Sequence, residues 1–280
     1  MSYNILFGFQ DKDTQNKPTV LNPRRLEEAK EVVRGENPDV LVLCEAFFGD
    51  LAKYPKGMDY KKLFGYPHML GAWYEEYNGQ VILSRYPFRK KSALPVGHSL
   101  LSSERRYFPL VQMDLGAKVV SVLGGYTALG KERQKREDWE RAFAYDEVHN
   151  AESLIVVGDL NAFSDEDRYD REALVTGFRH FIHTIPEFSH QTPENVVDDF
   201  LRREAIPFLR SRGLVDTHQP TGTLEYTLPT DLITKDKSFA IRIDYILATP
   251  NLKVKRAYTV RNAHAEAASD HYPIVTLFEI

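Results

Sequence analysis

Short apolar runs rich in β-branched residues recur along this chain, and they limit its fold more than any other feature of the sequence. Runs of this length between polar turns are typical of buried β-strands. They continue to the last residues, so strands are expected to supply most of the core. Besides an N-terminal apolar run at Tyr3–Phe9, the predicted strands are Val40–Cys44, Val81–Ser84, Tyr107–Met113, Lys118–Leu123, Leu154–Val157, Ile241–Leu247, Leu252–Val260 and Ile274–Phe278.

Helices are predicted at only a few places between these strands. Asn22 followed by Pro23 is typical of an N-cap with proline at the first helical position, and Gly35 is the expected end of that helix. Further helices are predicted in a charged amphipathic stretch, Lys131–Ala151, and between Arg171 and Arg212. Few helices among many strands favour two packed sheets with helices on their outer faces.

The composition is that of an ordinary globular protein of 280 residues, 42% of them hydrophobic, with a formal net charge of -4. We expect one domain spanning residues 1–280, because no repeat, linker or low-complexity tract divides the chain. Cys44 has no second cysteine to pair with, and no signal peptide or membrane span is visible. We therefore expect a cytoplasmic monomer. The net charge argues against coating nucleic acid by counterion release alone, but a locally basic groove is compatible with it.

Polar side chains follow several of the predicted strands. Glu45 comes directly after one of them, where a carboxylate must be solvated, paired or bound to metal. Gly158 allows the chain to turn after the predicted strand Leu154–Val157. Because successive side chains of an extended chain point to opposite faces, Asp159 and Asn161 are expected on the same face. Such a pair can hold a water and a phosphate oxygen, whereas a simple Asx turn is the plainer alternative.

Asp244 lies at an inner position of the predicted strand Ile241–Leu247, and the neighbours Asp270 and His271 lie just before the last predicted strand. Asp244 needs a partner if it faces the core, and that partner is either a histidine ring or an arginine, Arg242 or another. Adjacent residues of an extended chain point to opposite faces, so Asp270 and His271 must serve different partners. Asp270 is therefore a candidate metal ligand, and His271, held by Asp244, is a candidate phosphate-binding group.

The order of these motifs resembles that of the endonuclease/exonuclease/phosphatase superfamily. This group includes DNase I, abasic-site endonucleases, inositol-polyphosphate 5-phosphatases, neutral sphingomyelinases and deadenylases. The resemblance spans nearly the whole chain, and the motifs follow one another in the family's order. They are Ser2-Tyr3-Asn4-Ile5, Pro38-Asp39-Val40-Leu41-Val42-Leu43-Cys44-Glu45, Asn78-Gly79-Gln80-Val81-Ile82-Leu83-Ser84-Arg85, Gly158-Asp159-Leu160-Asn161, Ile243-Asp244-Tyr245-Ile246 and Ser269-Asp270-His271.

The resemblance implies a fold, a cofactor and a reaction. The fold is α/β, a four-layered sandwich of two packed, mostly antiparallel β-sheets with helices on the outer faces, as in DNase I. The cofactor is Mg²⁺ or Mn²⁺, held by Glu45 with Asn4 and Asp270 through the hard oxygen ligands that these ions prefer. The reaction is hydrolysis of a phosphoester, by a phosphodiesterase or nuclease acting on nucleic acid or on a small phosphorylated molecule.

The same resemblance implies roles for the other candidates. Asp159 would position or deprotonate the attacking water, and Asn161 would orient Asp159 or bind the phosphate. His271, oriented by Asp244, would contact the phosphate and stabilise the transition state. Tyr126 would donate a hydrogen bond to a phosphate oxygen.

The segment before Asp159 departs from the family's pattern. Most members end a strand there in His-Leu, but the strand here continues as Gly124-Gly125-Tyr126-Thr127-Ala128 and contains no histidine. Tyr126 can fill the place, as tyrosine does in the abasic-site endonucleases, whereas a register shifted by two residues puts Ala128 there. We favour Tyr126.

Several alternatives stay open from the sequence. The enzyme is either a diesterase or a phosphomonoesterase acting on a small molecule or lipid headgroup, and an inactive binding module on the same scaffold is the alternative of another class. The segment Ala263–Ala268 lacks the Trp that precedes Ser-Asp-His in abasic-site endonucleases, which counts against DNA repair. His183 and His190 match no metal motif and are expected to be surface residues, whereas Asp216 and His218 are expected to be structural or to lie next to the substrate.

Two residue clusters have competing interpretations. The basic cluster before and within the predicted helix is either a solvated helix face or a rim that attracts phosphate. The aromatic cluster is either part of the core or a stacking platform for a base or lipid. The clusters are Lys131, Arg133, Lys135 and Arg136, and Tyr54, Tyr60, Phe64, Tyr66, Trp73, Tyr74 and Tyr77.

Overall fold

The structure, a computed structural model, describes residues 1–12, 18–47, 58–73, 78–98, 105–127, 129, 131–182, 188, 190–219, 222 and 225–280. Its strands are β1 (Ser2–Asn4), β2 (Gln10–Lys12), β3 (Pro18–Leu21), β4 (Val40–Phe47), β5 (His68–Trp73), β6 (Asn78–Ser84), β7 (Lys90–His98), β8 (Arg105–Leu115), β9 (Lys118–Gly124), β10 (Leu154–Asp159), β11 (Val215–Asp216), β12 (Asp244–Ala248), β13 (Lys253–Thr259) and β14 (Ile274–Glu279). Its helical segments are α1 (Leu6–Phe9), α2 (Pro23–Glu36), α3 (Tyr60–Phe64), α4 (Glu132–Phe143), α5 (Asp146–His149), α6 (Arg171–Phe181), α7 (Pro193–Phe200), α8 (Ala205–Ser211) and α9 (Ala263–Ala268).

Two six-stranded sheets form the centre of the fold. The strand order is β13-β14-β1-β4-β6-β5 in the first sheet and β11-β12-β10-β9-β8-β7 in the second. Each sheet has one parallel pair near its middle, β1 with β4 and β9 with β10. The other neighbouring strands are antiparallel. The prediction of two mostly antiparallel sheets is confirmed.

Alternate positions along the strands divide between an inner core and two outer cores. Val42 and Val157 pack between the sheets, whereas Leu43 and Val156 pack outward. The outer face of the first sheet packs against α2 and α9, and that of the second packs against α4 and α8. Because strand side chains alternate with a period of two, each sheet is covered on both faces. This is the predicted four-layered sandwich with helices outside.

The helix predicted after Asn22 begins there but ends later than predicted. The Asn22 side chain accepts a hydrogen bond of 3.1 Å from the Arg25 backbone N–H, as an N-cap does. Gly35 lies inside the helix, because Asn37 at φ 49° takes the left-handed conformation that ends it.

The strand predicted to end at Cys44 continues to Phe47. The register against β6 shifts between Leu43 and Ala46, and Glu45 lies within this irregularity at φ 56°. A bulge changes the direction of a side chain without ending the strand. Glu45 is therefore a bulge residue and not, as predicted, a residue beyond the end of a strand.

Other boundaries also shift. The strand predicted from Ile241 begins at Asp244, and Ile241 forms only an isolated bridge with Leu228. The stretch Lys131–Ala151 contains two helices, α4 and α5, and the described residues between Arg171 and Arg212 include α6, α7 and α8. Among the described residues, no helix has both the length and the apolar character needed to cross a membrane.

Candidate active site

Polar side chains converge where the parallel strand pairs end. Asn4 is the last residue of β1 and Asp159 the last of β10. The carboxyl ends of such strands are where open α/β sheets place their sites. Asp244, the first residue of the antiparallel strand β12, stands opposite Asp159 in the register. His271 lies just before β14, whose Ile274 pairs with β1. The topology thus gathers residues from both ends of the sequence.

Asn4 joins carboxylates that belong to different sheets. Its Nδ2 donates to Glu45 Oε1 at 3.0 Å and to Asp159 Oδ2 at 2.9 Å. The Asn4 side chain is fully buried, so both bonds form away from solvent. A buried amide with these partners fixes the spacing between the first sheet and the second.

A left-handed turn follows Asn4 and supports Glu45. Four consecutive residues, Leu6–Phe9, have φ between 44° and 64°. The turn directs the Phe7 backbone N–H to Glu45 Oε2 at 3.0 Å. Gly8 is required within it, because an added Cβ would lie 2.6 Å from Phe47 Cβ. Positive φ at non-glycine residues is costly, and such strain clusters at functional sites.

Arg25, on α2, holds this turn from behind. Its guanidinium donates to the backbone carbonyls of Ile5, Leu6, Gln10 and Ala268 at 3.0–3.2 Å. Burial lowers the pKa of Arg25, and the Asp270 carboxylate opposes that shift. The side chain therefore links the N-terminal turn to the segment that leads into Ser269, Asp270 and His271.

Asp159 and Asn161 lie together, as the sequence predicted. Asp159 Oδ1 accepts the Asn161 backbone N–H at 3.0 Å, and Asn161 Nδ2 lies 3.4 Å from Asp159 Oδ2. The first bond is the Asx turn that we considered as an alternative, so turn and shared face occur together. Lys135 Nζ donates to the Asn161 carbonyl oxygen and pairs with Glu132 at 2.8 Å.

His271 and Asp244 form the predicted pair. His271 Nδ1 lies 2.8 Å from Asp244 Oδ2, and both side chains are buried. The alternative partner, Arg242, instead forms ion pairs with Asp167 and Asp216. The opposite ring nitrogen, Nε2, lies 4.0 Å from Asp159 Oδ2. The ring thus has one nitrogen held by Asp244 and the other directed toward the Asp159 side.

The electrostatics of the site show a shortage of positive charge. Burial, and next the Asp244 carboxylate, raise the pKa of Asp159 to about 8. Burial alone would lower the pKa of His271, but Asp244, Asp159 and Asp270 outweigh it and raise that pKa well above its ordinary value. One cationic ring among several carboxylates leaves negative charge uncompensated, and a divalent cation would compensate it.

Three of the gathered side chains could hold a metal ion. Ligand atoms of Asp159, Asp244 and His271 lie within 4.8 Å of one another. Asp244 Oδ1 is buried and has no hydrogen-bond partner among the described residues. A buried carboxylate oxygen without a donor is costly, which is consistent with a cation nearby.

The predicted metal ligands are only partly brought together. Asn4 and Glu45 are in contact. Asp270 is half-buried and reaches them through Ser269, whose Oγ bonds the Asn4 carbonyl at 2.7 Å and Asp270 Oδ1 at 3.2 Å. Among the described side chains, no hydrogen bond joins Asp270 directly to Glu45.

Tyr126 lies beside Glu45 at the candidate site. Its hydroxyl donates to Glu45 Oε1 at 3.4 Å, and the side chain is nearly buried against Cys44. Ala128, the alternative occupant, lies outside the described residues.

Sequence reasoning missed three residues that support the site: Arg25, Lys135 and Cys44. The buried Cys44 Sγ accepts the Asp159 backbone N–H at 3.3 Å, and burial raises the pKa of this thiol well above its ordinary value. A neutral thiol beneath Asp159 adds no further negative charge. The Gln80 side chain, in the Asn78–Arg85 motif, donates to the same sulfur at 3.3 Å.

The other candidates lie away from this centre or are structural. Tyr60 and Tyr66 bond backbone atoms of Phe47 and Pro38, so they anchor the core. Trp73 is exposed, and Tyr54, Tyr74, Tyr77 and His183 lie outside the described residues. His218 is buried beside Asp216, which pairs with Arg242, as a structural residue would.

The comparisons with known proteins agree with this fold and with the predicted family. The sequence profile of the Endonuclease/Exonuclease/phosphatase family matches residues 1–271. This chain belongs to that family, whose members are phosphoester hydrolases. None of the curated proteins compared with the chain matches it.

Several solved structures share the fold. One is a 3′ phosphatase from Neisseria bound to product DNA hairpin, with 21% identity and a TM-score of 0.63 over 100% of this chain and 98% of that chain. A second is an AP endonuclease from Archaeoglobus fulgidus, with 20% identity and a TM-score of 0.60 over 100% of this chain and 98% of that chain. A third is an endonuclease/exonuclease/phosphatase from Beutenbergia cavernae, with 20% identity and a TM-score of 0.63 over 98% of this chain and 69% of that chain. At these identities the likeness establishes the fold alone.

Proposed function

We propose that this chain is a Mg²⁺- or Mn²⁺-dependent hydrolase of phosphodiester bonds. The observation that carries the proposal is the buried cluster in which Asn4 bonds both Glu45 and Asp159, beside the His271–Asp244 pair. It combines a carboxylate able to take a proton, a cationic ring and uncompensated negative charge. Such groups can take a proton from water, donate to a phosphate oxygen and attract a metal ion, which are the tasks of metal-assisted attack on a phosphate.

Glu45, Asn4 and Asp270 would hold the metal ion. They offer only oxygen ligands, which suit Mg²⁺, whereas the ring of His271 suits softer ions and already has a hydrogen bond to Asp244. When bound, the ion would supply charge neutralisation of the phosphate and stabilisation of the leaving oxygen.

The remaining side chains act on water and phosphate. Asp159 holds the attacking water and accepts its proton, since its raised pKa suits a general base near neutral pH. Asn161 fixes Asp159 through the turn between them. His271, cationic and oriented by Asp244, donates a hydrogen bond to a phosphate oxygen as charge develops there. Tyr126 donates a second.

A phosphomonoesterase is the second candidate. It is supported by the structural likeness to the Neisseria 3′ phosphatase, a protein whose solved complex contains product DNA. The same residues serve either reaction, because both need attack on phosphorus and stabilisation of a leaving oxygen. An inactive binding module is the alternative of another class.

Hydrolysis of bis(p-nitrophenyl) phosphate and of p-nitrophenyl phosphate, with Mg²⁺, Mn²⁺ or EDTA, tests the proposal. We expect metal-dependent turnover of the diester that Asp159→Asn reduces by at least about 10²-fold, since a general base contributes roughly 10² to 10⁴. The matched control is Asp114→Asn on β8, whose side chain is exposed. Faster turnover of the monoester would favour the phosphatase. Absence of turnover with both substrates, together with no change in melting temperature on adding metal, would favour the binding module.

A further inference from the structure

A basic cleft lies between the hairpin of β7 and β8 and the start of α4. Its volume is about 680 Å³. The cations that line it are Arg105 and Arg106 from β8, Lys131 and Arg133 at the start of α4, and Arg141 near its end. The sequence left open whether Lys131 and Arg133 form a solvated helix face or a phosphate-attracting rim. In the structure they face a second set of arginines across a cavity.

The cleft carries a local excess of positive charge on a protein with a formal net charge of -4. Glu137 is the acid among its lining residues, and Asp138 lies behind it. Arg106 and Arg141 pair with Asp138, and Arg133 pairs with Glu137.

Two cations of the cleft are not neutralised in this way. Arg105 and Lys131 are exposed, and neither has a carboxylate within 4.0 Å among the residues that the structure describes. Exposed cations that face a cavity without acidic partners are available to an anionic ligand.

The cleft lies toward the edge of the second sheet that carries the candidate active site. The last register pair of β8 with β9 is Leu110↔Leu123, but β8 stays paired with β7 as far as Arg105↔His98. From Leu110 to Arg105 the hairpin therefore projects roughly 16 Å past this pair, at about 3.3 Å per residue. On the other wall, Lys135 of α4 bonds the Asn161 carbonyl directly.

The arrangement of charges fits a chain of phosphates better than a single phosphate. Lys131 and Arg141 lie ten residues apart at the two ends of α4, roughly 15 Å along a helix. Small-molecule sites are enclosed and mostly apolar, whereas this cleft is lined by exposed cations. Repeated anionic groups along an extended ligand are the pattern of a nucleic-acid backbone.

We propose that this cleft binds the phosphodiester backbone of a nucleic-acid strand on one side of the scissile phosphate. The claim that the bound strand is the substrate rests on the proposed function. Arg105 and Lys131 bind phosphate oxygens through charge, so the cleft contributes affinity without reading base sequence. It makes long strands better ligands than isolated diesters.

Fluorescence anisotropy with a labelled 16-nucleotide single strand measures binding to the cleft. The full chain carries Asp159→Asn in this assay, so that the strand is not cleaved. In that background, Arg105→Glu with Lys131→Glu should raise Kd at least tenfold. Removing two phosphate contacts should also lower the slope of log Kd against log salt by roughly 1.4, at about 0.7 per contact. The matched control is Lys255→Glu, an exposed residue at the far end of the first sheet. It should change Kd less than twofold.

A parallel assay with Asp159 intact compares kcat/KM for the same strand with kcat/KM for bis(p-nitrophenyl) phosphate. Arg105→Glu with Lys131→Glu should lower the ratio of the strand's kcat/KM to that of the small diester at least tenfold. A change in log Kd for Lys255→Glu that reaches half of the change in the double variant would overturn the inference, since one charge reversal against two would then explain both. Binding to vesicles of phosphatidylserine and phosphatidylcholine without binding to the strand would also overturn it.

The two proposals fail in different ways. Turnover of the small diester without binding or cleavage of the strand would remove the cleft assignment and leave the hydrolase standing. Strand binding that depends on Arg105 and Lys131, with no metal-dependent turnover of any phosphoester, would support the cleft and remove the hydrolase.

Discussion

His271 Nδ1 lies 2.8 Å from Asp244 Oδ2, and the strand that begins at Asp244 pairs with the strand that ends at Asp159. The carboxylate that orients the ring and the proposed base therefore face each other across one strand pair. Because the strand register fixes both Asp159 and Asp244, neither residue can shift along its strand unless the pairing of the two strands changes. The sheet pairing sets the distance between the proposed base and the carboxylate that orients the cationic ring.

Asp244→Asn keeps the shape of the side chain and removes its charge. We expect kcat for bis(p-nitrophenyl) phosphate to fall by roughly 10² to 10⁴, because the ring of His271 loses the carboxylate that keeps it cationic and oriented. Steady-state kinetics at saturating Mg²⁺ measure the loss, with Asp114→Asn as the control. A loss below about tenfold in a folded variant would show that His271 acts without Asp244.

Tyr126→Phe removes one hydroxyl from the site. That hydroxyl lies 3.4 Å from Glu45 Oε1, a long hydrogen bond. We expect kcat to fall by roughly 10- to 100-fold, as a hydrogen bond to an anionic oxygen contributes about 1.5–3 kcal/mol. The concentration of Mg²⁺ for half-maximal activity should be measured in parallel, since Glu45 is a proposed ligand. A fall of less than about twofold would mean that the hydroxyl does not contact the phosphate during the reaction.

Much of the site was predictable because its residues occur at strand ends, where an apolar run stops at a polar side chain. Asp159 was found this way, Asp244 was found as a charge inside a predicted strand and His271 by its place just before the last one, and strand alternation separated Asp270 from His271. The fold was predictable from the same runs and from the order of the motifs. Asn22 marked its helix start because N-cap chemistry depends on neighbouring residues only.

The residues that were missed depend on contacts between distant parts of the chain. Arg25 and Lys135 lie in charged helices, where a cation is normally solvated, yet both are buried against backbone carbonyls. The positive φ of Glu45 follows from the register of β4 against β6. β7 was missed because Pro95 and Gly97 interrupt its pattern at the place where the register shifts.

Arg25→Met tests how the N-terminal turn is held. The change leaves four buried carbonyls without their donor, so we expect the free energy of unfolding to fall by about 3–5 kcal/mol. Arg24→Met is the matched control, because the neighbouring side chain is exposed and should change stability by less than about 0.5 kcal/mol. Urea unfolding measures both. Similar values for the two variants would contradict the assigned role of Arg25.

The buried pair of Asp138 with Arg106 predicts an unusual dependence of stability on pH. The two side chains are 2.6 Å apart and almost fully buried. Burial raises the pKa of Asp138 to about 6, even though Arg106 and Arg141 act to lower it. The cost of desolvating a buried ion pair can exceed its attraction. The folded protein then binds the proton more tightly than the unfolded chain does.

It follows that the contribution of Asp138 to stability is fully present below about pH 4 and is lost as pH rises to about 6, by on the order of 3 kcal/mol. The advantage of the starting protein over Asp138→Asn should therefore shrink between these values and stay constant above about pH 7. Urea unfolding of both proteins at several pH values measures this advantage. An advantage that grows with pH would mean that attraction to Arg106 outweighs burial.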